Sequence, residues 1–134
     1  MPYNGCMLKM IDTITISFSD AQCVAIISTW LHGPAGRVWV RRTEQSNALA
    51  TRWHLTLNEE GADARAEDPQ DRDVVTLVDL TPRLIREALA AMLANGTRDE
   101  KLIAAKALVE GGGIDNYTAD AIVQVAILGK VVFG

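Results

Sequence analysis

A sheet is predicted by one stretch of this sequence, residues 37–57, which read RVWVRRTEQSNALATRWHLTL. In its first part, residues 37–42, valines alternate with larger side chains, which is the period of a strand. Three large side chains then share one strand face: Arg37, Trp39 and Arg41. Residues 43–47 are polar and predict the connection to a second strand.

The second strand of this stretch is predicted over residues 49–57, where apolar and polar side chains alternate again. The apolar face carries Trp53 and Leu55, and the polar face carries Arg52 and His54. Because a short polar connection joins the two strands, we expect an antiparallel hairpin.

Towards the N-terminus, residues 11–18 alternate and predict one more strand, and residues 1–9 are expected to be a flexible leader. Met1, Met7 and Met10 are all candidate start residues. Ser19 and Gln22 have the spacing of a capping box, so a helix is expected to follow as far as about His32.

Towards the C-terminus, residues 58–73 predict a long, mobile acidic loop, and the valine-rich residues 74–80 predict a central strand. Three helices follow, beginning after Thr81, after Thr97 and at Thr118. The first is expected to end at Gly96 in the left-handed conformation, and the second to carry Leu102, Ala105, Leu108 and Val109 on its apolar side. The predicted fold is therefore a single α+β domain over residues 10–134. A small, mostly antiparallel β-α-β-β-β sheet is followed by three C-terminal helices packed on one face.

The composition excludes several classes of protein. The chain has 134 residues, with 13 Lys and Arg against 17 Asp and Glu, so its net charge of −4 disfavours a dedicated duplex-DNA binder. Two cysteines are too few for a disulfide scaffold, and we expect Cys23 to be a buried free thiol. No apolar run predicts a signal peptide or a membrane span, so we expect a cytoplasmic protein.

The sequence offers no motif for catalysis, and we expect no catalytic residues, no cofactor and no metal site. There is no nucleophile elbow, and the triple glycine at residues 111–113 follows a helix rather than a strand. The potential zinc ligands are too far apart to form close pairs: Cys6, Cys23, His32 and His54.

The predicted hairpin carries a basic–aromatic face, composed of Arg37, Trp39, Arg41, Arg52 and His54. Such a face binds acidic partners or stacks the bases of single strands. The alternative is that a helix covers Trp39 and that the arginines pair with the acidic loop. In that loop Glu67, Asp68 and Asp71 are expected to contact a basic partner by imitating nucleic-acid charge.

The last predicted helix is apolar around nearly its whole circumference over residues 121–128. Such a helix is either the centre of the domain or part of a subunit interface. We expect a homodimer in which Asp120 and Gln124 lie at the wetted rim. The expected contact residues are Ile122, Val123, Ile127 and Phe133.

Residues 118–134, TADAIVQVAILGKVVFG, resemble the ending of small uncharacterised proteins carried by phages and prophages. The resemblance implies a bacterial cell and a mobile element, and it supplies no catalytic residues. We therefore expect a non-enzymatic protein that binds a host or phage protein, in its most specific form an anti-CRISPR-like inhibitor of a host defence complex. The alternatives are a single-stranded nucleic-acid-binding module that uses the basic–aromatic face, and a small enzyme without a visible motif.

Overall fold

The elements of the fold are taken from a computed structural model that describes residues 17–46, 51–66, 68, 70 and 76–134. In that part of the chain the helices are α1 (Asp20–Leu31), α2 (Glu59–Arg65), α3 (Pro82–Asn95), α4 (Arg98–Glu110) and α5 (Asn116–Leu128). The strands are β1 (Val40–Gln45), β2 (Trp53–Leu57) and β3 (Leu77–Leu80). Two 3₁₀ turns, Ala35–Val38 and Gly111–Gly113, follow α1 and α4.

The three strands form an antiparallel sheet in the order β1-β2-β3. In the first ladder Gln45 stands opposite Trp53, and in the second His54 stands opposite Asp79. The α+β class, the antiparallel hairpin and the three C-terminal helices are thus confirmed. Among the strands of the described residues, β3 lies at one end of this order and not at the centre, where the sequence analysis expected the last strand.

Local capping signals in the sequence place most helix starts correctly. Capping boxes join Ser19 to Gln22 and Thr97 to Glu100, and the Thr81 hydroxyl accepts from the backbone of Leu84. The last helix begins two residues earlier than expected, because Asp115 caps it ahead of Thr118. None of the helices in the described residues is long and apolar enough to cross a membrane.

The core is centred on α5, which packs against α1, α3 and α4. Ile122 and Val123 are fully buried and Ile127 is 7% exposed, all within a single chain. These three residues are therefore core residues, and their assignment to a subunit interface is wrong. Phe133, the fourth residue of that assignment, is half-buried and packs against the same core.

Four further expectations are corrected. The first hairpin strand begins at Val40 rather than at Arg37 and extends to Gln45, which lies within residues 43–47 that were expected to be a connection. Residues 58–73 are not a continuous loop, because α2 occupies Glu59–Arg65. Gly96 ends α3 with a φ of −71°, not in the left-handed region. On α4 the fully buried residues are Ala104 and Ala107, whereas the sequence pattern predicted an apolar side that includes Leu102 and Val109.

Some expectations lie outside the described residues. These are the flexible leader, residues 11–16 of the first predicted strand, and the side chains of Glu67 and Asp71. Ser17 and Phe18, which end that predicted strand, have no regular secondary structure.

Candidate functional site

A groove lies where the chain leaves α1 and enters β1, with a volume of about 190 Å³. The end of α1 lines one side through Trp30 and Leu31. The glycines of the following turn and the first residues of β1 line the rest, which comprises Gly33, Gly36, Arg37, Val40, Arg41, Arg42 and Thr43. We call this the arginine groove, because three of its lining residues are arginines.

The start of β1 explains why two neighbouring arginines face the same groove. Val40 stands opposite Leu57 and Arg42 opposite Thr56, so Arg41 is an additional residue in a β-bulge. In a regular strand, adjacent side chains point to opposite faces, but a bulge breaks that alternation and redirects a side chain. Arg41 and Arg42 consequently both line the groove and are both exposed.

The turn that precedes β1 depends on a close contact with α1. A Cβ atom on Gly36 would lie 2.7 Å from the indole of Trp30, which is closer than real Cβ atoms approach. Gly36 therefore lets the 3₁₀ turn pack directly on Trp30. The turn exposes Arg37 while it directs Trp39 into the core.

The base of the groove is fixed by a buried carboxylate on α5. Asp120 Oδ1 accepts hydrogen bonds from Trp30 Nε1 and Trp39 Nε1, each at 2.9 Å. The two indole rings are tilted by 40° with centroids 6.0 Å apart. Trp39 is 0% exposed, so its assignment to a partner-binding face is wrong. The alternative is confirmed only in that Trp39 is covered, because Arg37 and Arg41 pair with no acidic side chain among the described residues.

Gln124 extends the same network to the C-terminal residues. Its amide nitrogen donates to Asp120 Oδ2 at 2.8 Å and to the Phe133 carbonyl at 2.7 Å. Its oxygen accepts from the backbone of Val132 and Phe133. Asp120 is 5% exposed and Gln124 is 0% exposed, so the expectation that both lie at a wetted rim is wrong. In the described residues no buried side-chain nitrogen or oxygen lacks a hydrogen-bond partner.

Asn116, at the start of α5, forms hydrogen bonds both to the end of α1 and to the 3₁₀ turn that follows it. Its oxygen accepts from the backbone of Ala35 at 2.8 Å. Its nitrogen donates to the carbonyls of Thr29 and Trp30, at 3.0 and 3.1 Å. The sequence analysis missed Asn116, Arg42 and Gly36. The adjacent pair Arg41–Arg42, which breaks the strand alternation, was the available sign of a bulge.

The groove has an excess of positive charge. Arg42 pairs with Glu44 at 2.9 Å, but both side chains are more than 60% exposed, so the pair contributes little stability. The side chains of Arg37 and Arg41 form no hydrogen bond or ion pair with the described part of the chain. Guanidinium groups offer planar sets of donors that match carboxylate and phosphate oxygens. The groove is therefore equipped to bind an anion.

The structure does not bring the other expected contact residues to this groove. Arg52 lies in a separate cleft that Arg83 and Arg86 also line, so the five residues do not form one face. Asp68 is exposed and accepts a hydrogen bond from the backbone of Gln70.

His54 forms a cross-strand pair with Asp79, with 2.6 Å between His54 Nδ1 and Asp79 Oδ1. The pair lies in a cleft of about 490 Å³ that Arg65 also lines. None of the described residues lining this cleft carries a hydroxyl or a thiol that the imidazole could activate. Among the described residues there is also no cluster of three potential metal ligands.

No protein-family model, no curated protein and no solved structure matches this chain.

Proposed function

We propose that this protein is a non-enzymatic binding protein whose arginine groove receives an acidic segment of a partner protein. The observation that carries the proposal is the convergence of Arg37, Arg41 and Arg42 on one groove, with the first two unpaired in the described chain. Charged groups held in a concave site concentrate the field and steer a partner of opposite charge. An Arg–carboxylate contact adds geometric specificity through paired hydrogen bonds.

The lack of exposed aromatic rings at the groove favours a carboxylate-bearing protein over a single-stranded nucleic acid. Single-strand binders stack bases on exposed aromatic rings. Trp39 is fully buried, Trp30 is 3% exposed, and the exposed Tyr117 does not line the groove.

The C-terminal segment supports a bacterial cell and a mobile element as the setting of this proposal. Residues 118–134 resemble the ending of small phage and prophage proteins, so a host or phage protein in the cytoplasm is the proposed partner. Inhibition of a host defence complex is the most specific form of the proposal.

The proposal is tested by measuring fluorescence anisotropy with two labelled probes, octaglutamate and an octamer of thymidylate. We expect octaglutamate to bind more tightly, with an affinity that falls as salt is added. Arg37→Glu combined with Arg41→Glu is expected to weaken that binding at least about tenfold, which corresponds to about 1.4 kcal/mol.

Arg52→Glu combined with Arg83→Glu provides the matched control, since it makes the same charge change in the other arginine cleft. An equal loss of affinity in this control would show that the arginine groove is not the site. Tighter binding of the thymidylate octamer would favour the nucleic-acid function instead.

A further inference from the structure

Helix α4 carries an apolar stripe on its solvent side. Leu102 is 59% exposed and Val109 is 84% exposed, and Ala105 between them is also exposed. Spacings of three and four residues place these side chains along one line of the helix, as in the seam of a coiled coil. The side of α4 that packs on the core carries the fully buried Ala104 and Ala107 and the partly buried Ile103 and Leu108, so Leu102 and Val109 are large apolar side chains that this packing leaves exposed.

The stripe borders a cavity between α3 and α4, with a volume of about 550 Å³. Leu93 of α3 contributes to its wall together with Leu102 and Ala105. The remaining lining residues are Arg98 and Lys101, which belong to the first turns of α4. The cavity is thus apolar in its interior and basic at its N-terminal end.

The charges indicate which partner fits this cavity. The side chains of Arg98 and Lys101 form no ion pair with any described residue. Two unpaired cations beside an apolar wall match a surface that alternates apolar side chains with carboxylates. Because a stripe with this spacing accommodates the side chains of a second helix, the complementary shape is helical.

We propose that an amphipathic helix of a partner protein docks on the α4 stripe, with its apolar side chains in the cavity and its carboxylates beside Arg98 and Lys101. This surface does not depend on the arginine groove, because the two cavities have no lining residue in common. The proposal therefore stands or fails separately from the proposed function.

The probe for this surface is a labelled peptide of about three heptads, with Leu at the a and d positions and Glu at e and g. A peptide of the same composition in scrambled order is the control probe. We expect saturable binding of the patterned peptide. Leu102→Arg combined with Val109→Arg should weaken binding at least about tenfold. Both positions are exposed, so we expect the double variant to remain folded, as checked by circular dichroism and thermal unfolding.

Two variants separate the contributions of shape and charge. Arg98→Glu combined with Lys101→Glu should also lower the affinity for the patterned peptide. Leu77→Arg, at a 71% exposed position of β3, should leave that affinity unchanged. Failure of the patterned peptide to bind, or equal binding by the Leu102→Arg, Val109→Arg variant, would overturn the proposal. It would also be overturned if the unmutated protein sedimented as a dimer that this variant dissociates, because the face would then belong to a second copy.

Discussion

At the scale of single residues, one carboxylate organises the molecule. Asp120 receives hydrogen bonds from two indoles and one amide, and these donors come from α1, from the residue just before β1, and from α5 itself. A buried donor left without an acceptor costs about 1–3 kcal/mol. Asp120 thus joins the groove to the core.

The first prediction concerns this carboxylate. Asp120→Ala leaves the nitrogens of Trp30 and Trp39 without their acceptor, so we expect it to lower the free energy of unfolding by about 3–5 kcal/mol. Asp120→Asn should cost less, about 1–3 kcal/mol, because an amide oxygen still faces the indoles while its nitrogen opposes the donor of Gln124. Urea unfolding measures both.

The control for the first prediction is Asp99→Ala, an exposed position in the first turn of α4, which should change stability by less than about 0.5 kcal/mol. If Asp120→Ala lowered the free energy of unfolding no more than this control, the hydrogen bonds of Asp120 would not be what stabilises the groove.

Sequence reasoning fails most clearly at the residue scale. The sequence showed the apolar character of α5. It also led to the prediction that Asp120 and Gln124 are exposed to solvent, because polar side chains usually are. The two indoles that donate to Asp120, those of Trp30 and Trp39, lie 90 and 81 residues away along the chain. No local pattern encodes such pairs, and the same contact removes Trp39 from the strand face on which alternation had placed it.

At the scale of elements, local caps are predictable and packing faces are not. The capping boxes at Ser19 and Thr97 are complete within four residues, so the sequence shows them directly. Helix α2 was missed because its buried residues are Gly61 and Ala62, which carry no apolar periodicity. A Cβ atom on Gly61 would lie 2.2 Å from the Trp39 carbonyl oxygen, so the small residue is what permits α2 to pack there.

The second prediction concerns the cap of α2. The oxygen of the Asn58 side chain accepts from the backbone of Gly61 at 2.9 Å, and its nitrogen donates to the Val38 carbonyl at 2.7 Å. We expect Asn58→Ala to destabilise the protein by about 1–2 kcal/mol. Asn58→Asp keeps the acceptor for Gly61 and loses the donor to Val38, so it should destabilise the protein less than Asn58→Ala. Thermal unfolding measures the loss.

Amide hydrogen exchange tests α2 itself. The backbone of Ala62 donates to Asn58 and that of Ala66 donates to Ala62, so both amides should be protected and should exchange faster in Asn58→Ala. Fast exchange at both amides in the unmutated protein would show that this segment is the loop expected from its sequence.

The third prediction is a pH dependence at the start of α5. Hydrogen bonds from the backbone and side chain of Thr118 lower the pKa of the Asp115 carboxyl from its usual value of 3.8. A carboxyl with a lower pKa in the folded state adds stability above its unfolded pKa, and this contribution disappears as the pH falls through the folded value. Asn caps a helix without titrating.

The stability advantage of the unmutated protein over Asp115→Asn should therefore be constant near neutral pH and should shrink below about pH 4. Urea unfolding at a series of pH values measures it. An advantage that grew on acidification would contradict the direction of this pKa shift.

At the scale of the whole molecule, the distribution of charge matters more than its sum. The chain has a net charge of −4, yet three arginines converge on one groove. Composition gives an acidic protein and disfavours duplex DNA as a partner. It did not locate the groove, because the bulge at Arg41 and the turn at Gly36 arise from contacts with β2 and α1.

The most direct test of the arginine groove as an anion site is a titration of the ¹⁵N-labelled protein with octaglutamate, followed by amide chemical shifts. We expect the largest shifts at Gly33, Gly36, Arg37 and Thr43, which line the groove. These shifts should disappear in the Arg37→Glu, Arg41→Glu variant while its melting temperature is unchanged. Largest shifts at Arg52 and Arg83, or shifts of equal size over the whole surface, would contradict the central claim.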